Sequence, residues 1–482
     1  MNYGIVRKVL GSLLLLESLL MMPSLLIAIY TNQVDKLAFL VTILATGIIG
    51  YFLFRCKTYN KHINAKEGLA IVSLGWILIS IFGAIPLYIS GSTPTYIDAI
   101  FEIVSGFTTT GATVIPNVEI LPMGILFWRS FTHWIGGMGI LVFTLALLPA
   151  LGIGGFQIFK AESPGPIAGK IAPRIKDTAK ILYVTYFSIT MIQVMLLKFG
   201  GMTWFESFVY TFGTVGTGGF STMNASVGAY NSTYIHLVIG SFMVLSGVNF
   251  SLYYSLFKGK VKDVFRDEEL RLYFIIVSTA VAAIGLNLLK TSYSSIGLAF
   301  RDSFFQVSSI ITTTGYSTAN FDIWPTFSKG ILLLLMFIGA SAGSTAGGMK
   351  VIRILVILKL IKREILKIFH PRAVIPVKIN GKVLHNETIA GIYSFTGLYI
   401  IIFALSTILV SLEGVDLESA ISSVAATLGN IGPGLGFVGP TSTFDGYSQI
   451  AKAFFSLLML LGRLELFTVI ALFAPKNWRR EI

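Results

Sequence analysis

Hydrophobic residues along the chain fall into long runs that are separated by short polar connections. Most runs reach the length of about 20 residues that an α-helix needs to cross a bilayer, and together they predict ten spans. The predicted spans cover residues 10–30, 37–54, 68–90, 125–149, 181–199, 233–257, 272–289, 329–358, 388–412 and 450–474. The first run contains Glu17 and Pro23 and is too long for the apolar core of a signal peptide. The pattern therefore predicts an all-α polytopic membrane protein.

Four connections contain a further apolar segment that is too short to cross the membrane and too apolar for an ordinary loop. Segments of this kind are typical of re-entrant helices. Each begins with an acid and runs into a stretch rich in Gly and Thr: DAIFEIVSGFTTTGAT (98–113), ESFVYTFGTVGTGGFST (206–222), DSFFQVSSIITTTGYST (302–318) and ESAISSVAATLGNIGPG (418–434). The acid precedes the aligned glycine by 13 residues in the first three segments and by 14 in the fourth. The chain is therefore predicted to repeat a unit of span, half-helix, glycine-rich strand and span four times.

The repeated unit suits the passage of a cation. Non-helical backbone at membrane depth is tolerated only where it is buried in protein or lines a wet cavity, and glycine leaves carbonyl oxygens free to turn toward a common axis. Rings of such oxygens replace the hydration shell of the ion in potassium-channel filters. Each acid is expected in the first turn of its half-helix, where it complements the helix dipole, as a capping group without ion contact. The predicted filter residues are Thr110, Gly111, Gly218, Gly219, Thr314, Gly315, Ile431 and Gly432.

Charge fixes the predicted orientation and excludes several classes of protein. Of the 36 Lys and Arg residues, 28 fall in alternate connections, and basic loops stay cytoplasmic, so both termini are predicted to be cytoplasmic. Only 12% of the residues are charged, about half the share of a soluble domain. The formal charge of +13 is explained by topology, and nucleic-acid binding is not expected because Arg-rich arms with interleaved aromatics are absent. The single cysteine, Cys56, excludes a disulfide scaffold.

At these residues the chain resembles the TrkH/TrkG-type potassium uptake proteins of the Trk/Ktr/HKT cation transporter superfamily. The repeats cover residues 66–475, and further matching stretches are FKAESPGP (159–166), PRIKDTAK (173–180), GSTAGGMK (343–350) and GRLE (462–465). In this family four filter glycines mark potassium selectivity, whereas a serine in the first position accompanies sodium transport. The resemblance therefore implies a potassium ion at the filter residues, although the fourth strand, LGNIGPG, departs from the Thr-Thr-Thr-Gly form.

The resemblance also implies an organisation and a set of partners. Two N-terminal transmembrane helices (1–65) precede pore repeats at 66–158, 159–258, 259–384 and 385–482. The implied assembly is a homodimer in the lipid of a prokaryotic inner membrane, with a cytosolic TrkA-like regulatory ring that alone binds nucleotide. We expect no covalently bound cofactor and no catalytic residue. Segments 159–180 and 350–386 are candidate docking surfaces for the ring.

The stretch GASAGSTAGGMK (339–350) lies inside the eighth span and allows three interpretations. It nearly matches the phosphate-binding pattern G-x-x-x-x-G-K-[ST], but Met349 takes the lysine position and no strand is predicted before it. Ser341 could be the nucleophile of an intramembrane serine hydrolase, which needs a general base; among the histidines only His133 is predicted within a span. The resemblance implies instead a gate on the cytoplasmic side of the filter, with residues Gly343, Ser344, Thr345, Gly347, Gly348 and Lys350.

Arg463 is the second element of the predicted gate. It lies about 20 Å along the last span, at mid-bilayer depth, where a charge is costly and usually functional. The resemblance implies an electrostatic barrier to cations below the filter, and the alternative is a salt bridge to Glu465 or another packing partner. Arg129 and His133, one turn apart on the fourth span, are interpreted as structural polar groups. Sodium-selective or sodium-coupled transport and the serine hydrolase remain the alternative functions.

Overall fold

The computed structural model describes residues 2–56, 63–139 and 175–470, and its architecture is all-α. Three helices precede the repeats, and they span Tyr3–Leu20, Met22–Thr31 and Asp35–Phe54. The first two follow one another with a break at Met21, where Pro23 stands at the start of the second helix, a position that proline tolerates because its missing N–H has no partner there. The helices Tyr3–Leu20 and Asp35–Phe54 pack together closely, since Gly11 and Gly50 let the two backbones approach.

Each repeat begins with a long helix and continues with a short one. The long helices are Ala65–Ile89, Ile175–Phe199, Glu268–Thr291 and Asn386–Ser411. The short ones, here called the first to fourth pore helices, are Tyr96–Phe107, Trp204–Gly216, Ile296–Ile311 and Leu417–Leu428. A 3-10 turn follows each pore helix, at Val118–Ile120, Ser226–Ala229, Phe321–Ile323 and Gly436–Val438. The same order of elements thus recurs four times, although the division into domains at the boundaries given above stays a prediction.

The helix that closes the second, third and fourth repeats is interrupted, and that of the first repeat ends at Gly137. These closing helices are Met123–Gly137, Thr233–Ser246 with Phe250–Phe257, Thr326–Ile338 with Val351–Phe369, and Gln449–Arg463 with Leu466–Ile470. In the described residues six helices are long and apolar enough to cross a membrane, and the pair Thr233–Ser246 and Phe250–Phe257 is bent by 93°. The prediction of a continuous helix is therefore wrong for the sixth and tenth spans. The eighth span is interrupted at residues 339–350, where its small residues predicted a loop. In the fourth span the helix ends at Gly137, and most of the rest of that span lies outside the described residues.

Close packing against the pore helices explains where two of the closing helices end. Gly136 lies against the carbonyl oxygen of Phe107, and Gly462 lies against that of Leu428, at the ends of the first and fourth pore helices. A side chain at either glycine would collide with backbone. The helices end within two residues of these contacts, at Gly137 and Arg463, and their last carbonyl groups become available to other partners.

The surface of the protein is largely apolar, as expected for a membrane protein, and so is its core. Large apolar side chains on the long helices face outward, with Leu26 66%, Phe52 69% and Ile408 64% exposed. Hydroxyl-bearing residues are also buried where the four repeats meet. Thr108 and Thr110, and their counterparts Thr312 and Thr314 in the third repeat, are completely buried. An exposed apolar surface of this extent is stable only against lipid or another apolar surface.

A small hairpin lies in the basic segment between the third and fourth repeats. Its antiparallel strands, Lys378–Ile379 and Lys382–Val383, pair Lys378 with Val383 and Ile379 with Lys382. The turn is Asn380-Gly381 with positive φ at both residues, the sequence that two-residue hairpins favour. Asn380 fixes the hairpin to the start of the long helix of the third repeat, because its amide nitrogen donates to Asp267 at 2.7 Å.

Candidate functional site

All four pore helices end in the same backbone motif. The residue after the last turn has positive φ, of 55° at Thr109, 57° at Thr217, 56° at Thr313 and 56° at Asn430. The N–H of the following residue donates to the carbonyl five residues back at 2.7–2.8 Å in every repeat, which is the Schellman arrangement. Positive φ is a strained conformation for a β-branched residue, whereas asparagine adopts it readily. Asn430 therefore preserves the backbone of the fourth segment although its sequence departs from that of the others.

Two residues further on, each segment carries the predicted glycine. The φ angles are 81° at Gly111, 81° at Gly219, 83° at Gly315 and 99° at Gly432, in the left-handed region that glycine adopts at little cost. We call the three-residue stretches 109–111, 217–219, 313–315 and 430–432 the filter segments. In each, a residue without positive φ separates two residues with positive φ, and the four segments have the same backbone course.

The filter segments close a ring. Each glycine abuts the carbonyl oxygen of the middle residue in the next segment, and a Cβ at any of the four would come under 3.0 Å from that oxygen. The pairs are Gly111 with Gly218, Gly219 with Thr314, Gly315 with Ile431, and Gly432 with Thr110. The contacts therefore run from the first repeat to the fourth and back to the first, and they bring together all eight predicted filter residues.

The chemistry of the ring is that of neutral oxygen ligands. A cavity of about 110 Å³ on one side of it is lined by all four glycines. Beside the carbonyls, the Oγ1 atoms of Thr108 and Thr110 lie 2.8 Å apart, as do those of Thr312 and Thr314. In the fourth repeat Asn430, the residue that corresponds to Thr109, donates to the Thr110 hydroxyl at 3.0 Å. Such a set of oxygens can substitute for the water around a monovalent cation.

The four acids lie at the other end of their pore helices and have partners of their own. Asp98 pairs with Lys452 at 2.9 Å, and Glu418 pairs with Lys329 at 2.8 Å. Glu206 accepts from the Thr203 backbone at 2.9 Å, and Asp302 accepts from the Tyr293 hydroxyl at 3.0 Å. These contacts occupy the carboxylates away from the glycine ring.

Two details of the acids correct the sequence-based prediction. Asp302 does not lie in the first turn, because its helix already begins at Ile296. The residues that cap the other three helices are Thr95, Thr203 and Asp416, whose side chains accept a backbone N–H. Glu206 completes a capping box with Thr203, an arrangement that satisfies two free donors at once. Asp98 and Glu206 accept from the capping threonines and support those two caps, whereas Glu418 pairs with Lys329 and Asp302 lies beyond the first turn.

The predicted gate loop passes beneath the ring. It separates Thr326–Ile338 from Val351–Phe369, and the Gly347 N–H donates to the Thr313 hydroxyl of the third filter segment at 2.7 Å. Thr345 Oγ1 donates to the Val215 carbonyl at 3.1 Å, at the end of the second pore helix. Gly347 also lies against the Gly429 carbonyl of the fourth repeat. Small residues are needed here because the contacts are made by backbone.

The remaining predicted gate residues tie the loop to its surroundings. The Gly343 carbonyl accepts from the Phe250 N–H at 3.0 Å, and the Ser344 hydroxyl donates to the Ser341 carbonyl at 2.6 Å. Gly348 has a φ of 72° and packs against Gly339. The buried ammonium of Lys350 donates to the Ala346 carbonyl. The loop is therefore held by hydrogen bonds.

Arg463 lies between the loop and the filter. Its Nη1 donates to the Thr345 carbonyl at 2.6 Å and to the Thr109 hydroxyl at 3.3 Å. Its Nη2 donates to the carbonyls of Gly136 and Gly137 at 2.6 and 2.9 Å. These two residues are the last of the helix Met123–Gly137. Glu465 pairs with Arg353 at 2.7 Å. These four acceptors are neutral oxygens, on the side of the ring away from the cavity.

A polar cluster stands beside the first two filter segments, and the sequence pointed to its members Arg129 and His133 as structural polar groups but not to Glu102. Arg129 forms a buried ion pair with Glu102 of the first pore helix, and His133 contacts both that helix and the second filter segment. Glu102 carried a signal, since it is a charged residue in the middle of an apolar half-helix. No sequence pattern indicated its partner, because the two residues come from different helices.

The geometry offers little to the two other interpretations of residues 339–350. Within the described residues the Ser341 hydroxyl has no hydrogen-bond partner, and both ring nitrogens of His133 have other partners. The loop follows the helix Thr326–Ile338, whereas a phosphate-binding loop follows a strand. The stretch 159–166 and the first part of the candidate docking surface 159–180 lie outside the described residues.

Comparison with known proteins indicates the family of this chain. Residues 35–480 match the family model TrkH, described as a cation transport protein. The Trk system potassium uptake protein TrkH of Escherichia coli strain K12 is 39% identical over 485 residues, which cover 99% of this chain and 100% of that protein. Its namesake from Halomonas elongata is 38% identical over 489 residues and covers 100% of both chains. TrkG of Escherichia coli strain K12 is 36% identical over 98% of each chain.

A solved structure agrees with these relatives. The crystal structure of the potassium transporter TrkH from Vibrio parahaemolyticus superposes with a TM-score of 0.89 at 36% identity, covering 99% of this chain and 100% of that one. The chain therefore belongs to the TrkH family of cation transport proteins, and it is a helical multi-pass membrane protein. The resemblance that its repeats and motifs indicated is confirmed.

Proposed function

We propose that this member of the TrkH family is the ion-conducting subunit of a potassium uptake system in the inner membrane of a prokaryote. The observation that carries the proposal is the closed ring of four glycines, each pressed against a carbonyl oxygen of the next repeat. Relatives that cover the whole chain are named potassium uptake proteins, which supports the same ion. The basic connections support an orientation with both termini in the cytoplasm.

Potassium is favoured over sodium by the composition of the ring. Its ligands are backbone carbonyls from four repeats, and all four glycine positions are free of side chains. A serine at one of them would have to push the neighbouring carbonyl aside, which changes the size and field of the site. Selectivity in such filters depends on these two properties, so sodium-selective or sodium-coupled transport is an outcome of the test below.

The test measures reversal potentials of the purified protein in proteoliposomes under separate potassium, sodium and proton gradients. The wild type is expected to follow the potassium gradient, and Gly111→Ser is expected to lower the potassium-to-sodium ratio. Gly91→Ser is the matched control, because Gly91 also has positive φ, of 72°, but nothing lies within 4 Å of a Cβ there. A wild type that follows the sodium gradient refutes the proposal, and an unchanged ratio in both Gly111→Ser and Gly315→Ser removes the filter assignment.

The proposed gate consists of the loop 343–350 and Arg463. The loop bonds to the second and third repeats, and Arg463 bonds the loop to the first repeat and carries a positive charge below the ring. A cation that leaves the ring toward the cytoplasm has to pass both. We therefore assign to this arrangement the closed state of a gate, in which the loop blocks the path and the arginine repels the ion.

A cytosolic partner could act on this loop through one continuous set of contacts. The hairpin in the basic segment 350–386 is bonded to Asp267 through Asn380 at 2.7 Å. Two residues further on, Glu269 accepts the N–H groups of Ala342 and Ile352, at the two ends of the loop, at 2.7 and 3.1 Å. A TrkA-like ring that binds nucleotide and docks on the segment 350–386 would thereby bias the loop. This partner and a homodimer of the chain remain part of the proposal.

A further inference from the structure

His133 joins two repeats at the edge of the filter. Its Nδ1 lies 2.8 Å from the carbonyl oxygen of Gly106, at the end of the first pore helix. Its Nε2 accepts the backbone N–H of Phe220 at 3.2 Å, one residue after the second filter glycine. A neutral imidazole with its proton on Nδ1 satisfies both bonds, since one nitrogen then donates and the other accepts. The side chain thus bridges the first pore helix and the second filter segment.

The imidazole also packs against the filter backbone itself. A Cβ at Gly218 would come under 3.0 Å from three atoms of the ring, so glycine at this position leaves the space that His133 occupies. The carbonyl of Gly218 is the oxygen that abuts Gly111. His133 therefore supports, from behind, the residue whose oxygen completes the contact between the first and second filter segments.

Arg129, one turn earlier, holds the same junction from its outer end. Its guanidinium lies 4.1 Å from the ring centroid of Phe220, on the same aromatic ring that lies 4.2 Å from His133. It pairs with Glu102, which also accepts the N–H of Val114 at 3.0 Å. Val114 follows the first filter segment, so the ion pair links the chain after Gly111 to the chain after Gly219.

The other junctions of the ring are supported by different groups. Between the second and third segments, the Tyr316 hydroxyl donates to the carbonyl of Phe220 at 3.0 Å. Between the fourth and first, Asn430 donates to Thr110. Among the described residues, only the junction between the first and second filter segments is held by a side chain that donates through one ring nitrogen and accepts through the other. The identity of that side chain is therefore tied to the position of the Gly218 carbonyl.

We propose that His133 is a selectivity-determining positioning residue, which acts by holding the second filter segment in register with the first. The inference rests on the proposed potassium filter, and it assigns to the histidine a part in ion discrimination beyond packing. Loss of its bond to Phe220 leaves a buried N–H without a partner, and this cost drives the segment to move. The Gly218 carbonyl moves with the segment and no longer completes the ring.

Two amide substitutions separate the functions of the two nitrogens. The side chain of His133→Gln reaches the place of Nε2 and can accept from Phe220, whereas that of His133→Asn reaches only the place of Nδ1 and can donate to Gly106. We expect His133→Asn to lower the potassium-to-sodium permeability ratio about tenfold, the effect of one unsatisfied N–H, and His133→Gln to recover most of it. His236→Asn is the control, since His236 is also buried and faces Phe305, away from the filter segments.

The measurement is the reversal potential of the full-length protein in proteoliposomes, together with its thermal unfolding midpoint in detergent. A merely structural histidine would lower the midpoint in both variants and leave the ratio of the folded protein unchanged, which would overturn the inference. Equal loss of selectivity in both variants would also overturn it, because the bond to Phe220 would then not matter. A wild type without potassium preference would instead refute the proposed function. If the wild type prefers potassium and Gly111→Ser loses that preference, the proposed filter stands whatever the His133 variants show, so the two conclusions are tested separately.

Discussion

Nη1 of Arg463 lies 2.6 Å from the carbonyl oxygen of Thr345, so the last closing helix and the loop of the third repeat meet below the filter. The two residues are 118 positions apart in the chain. Because the same guanidinium also bonds to Gly136 and Gly137, it connects three of the four repeats at one point. A change in any of them that moves the loop has to break or redirect these bonds.

Neutralising Arg463 is expected to raise cation flux. At an effective dielectric constant of about 20, a unit charge about 8 Å from an ion adds about 2 kcal/mol to its free energy, so Arg463→Gln should raise flux through the closed protein about tenfold to thirtyfold. Arg463→Lys keeps the charge and should stay close to the wild type. Flux of potassium or its congener rubidium into proteoliposomes, normalised to folded protein, measures both.

If the charge at position 463 makes no difference to flux, Arg463 stabilises the structure and is not a barrier to cations. In that case Arg463→Gln and Arg463→Lys would lower the unfolding midpoint to a similar degree, because both lose hydrogen bonds to Thr345, Gly136 or Gly137. Flux per folded molecule would then stay the same or fall in both variants.

Deleting residues 344–347 is expected to open the gate permanently. The deletion removes the bonds from Thr345 to Val215 and from Gly347 to Thr313, and two-state elements of this kind differ by only a few kcal/mol. Flux should rise and no longer depend on the nucleotide bound to the partner ring. The potassium-to-sodium ratio should be kept, because the glycine ring is formed by other residues. A folded deletion variant that still opens and closes with nucleotide would place the gate elsewhere.

Glu269 is expected to keep the two ends of the loop closed. One of its oxygens accepts from both Ala342 and Ile352, so Glu269→Ala leaves two buried donors unpaired, at about 1–3 kcal/mol each. Basal flux should rise, and the amides of residues 339–352 should exchange hydrogen faster. Glu269→Gln still offers an accepting oxygen and should exchange at nearly the wild-type rate. Unchanged exchange in Glu269→Ala would show that the loop is held by other contacts.

The course of the filter could be predicted from the sequence because its causes are local. Glycine at four aligned positions, after an αL residue that closes a helix, determines the backbone within a few residues of itself. The fourth repeat keeps the same backbone although its sequence differs, because Asn430 is a residue that tolerates positive φ. The loop 343–350 was likewise visible as small residues that interrupt an apolar run, and its function as a gate stays a prediction.

What could not be predicted depends on contacts between distant parts of the chain. The helices Met123–Gly137 and Gln449–Arg463 end where Gly136 and Gly462 pack against the ends of pore helices. The hydrophobicity of a run does not show what the run packs against. The partner of Asp98 is 354 residues away. The bond from His133 to Phe220 spans 87 residues. The spacing of hydrophobic residues shows which face of a helix is buried. It does not show which residue a buried polar group on that face will contact.

The buried ion pair between Asp98 and Lys452 is expected to stabilise the packing of the first repeat against the fourth. The two side chains are 1% and 3% exposed, and they join the start of the first pore helix to the last closing helix. Lys452→Met leaves the carboxylate buried without its cation, which costs about 3–5 kcal/mol. The unfolding midpoint in detergent should fall markedly, and the double variant Asp98→Asn, Lys452→Met should recover much of the loss.

Lys329→Met is the matched control for this change. Lys329 forms the ion pair of the fourth pore helix with Glu418, but those side chains are 19% and 48% exposed, and exposed pairs contribute about 0–1 kcal/mol. The midpoint should therefore change little in Lys329→Met and strongly in Lys452→Met. Equal effects of the two substitutions would mean that burial of the first pair adds nothing. Selectivity of the folded Lys452→Met protein should stay near the wild type, because neither charge touches a filter segment.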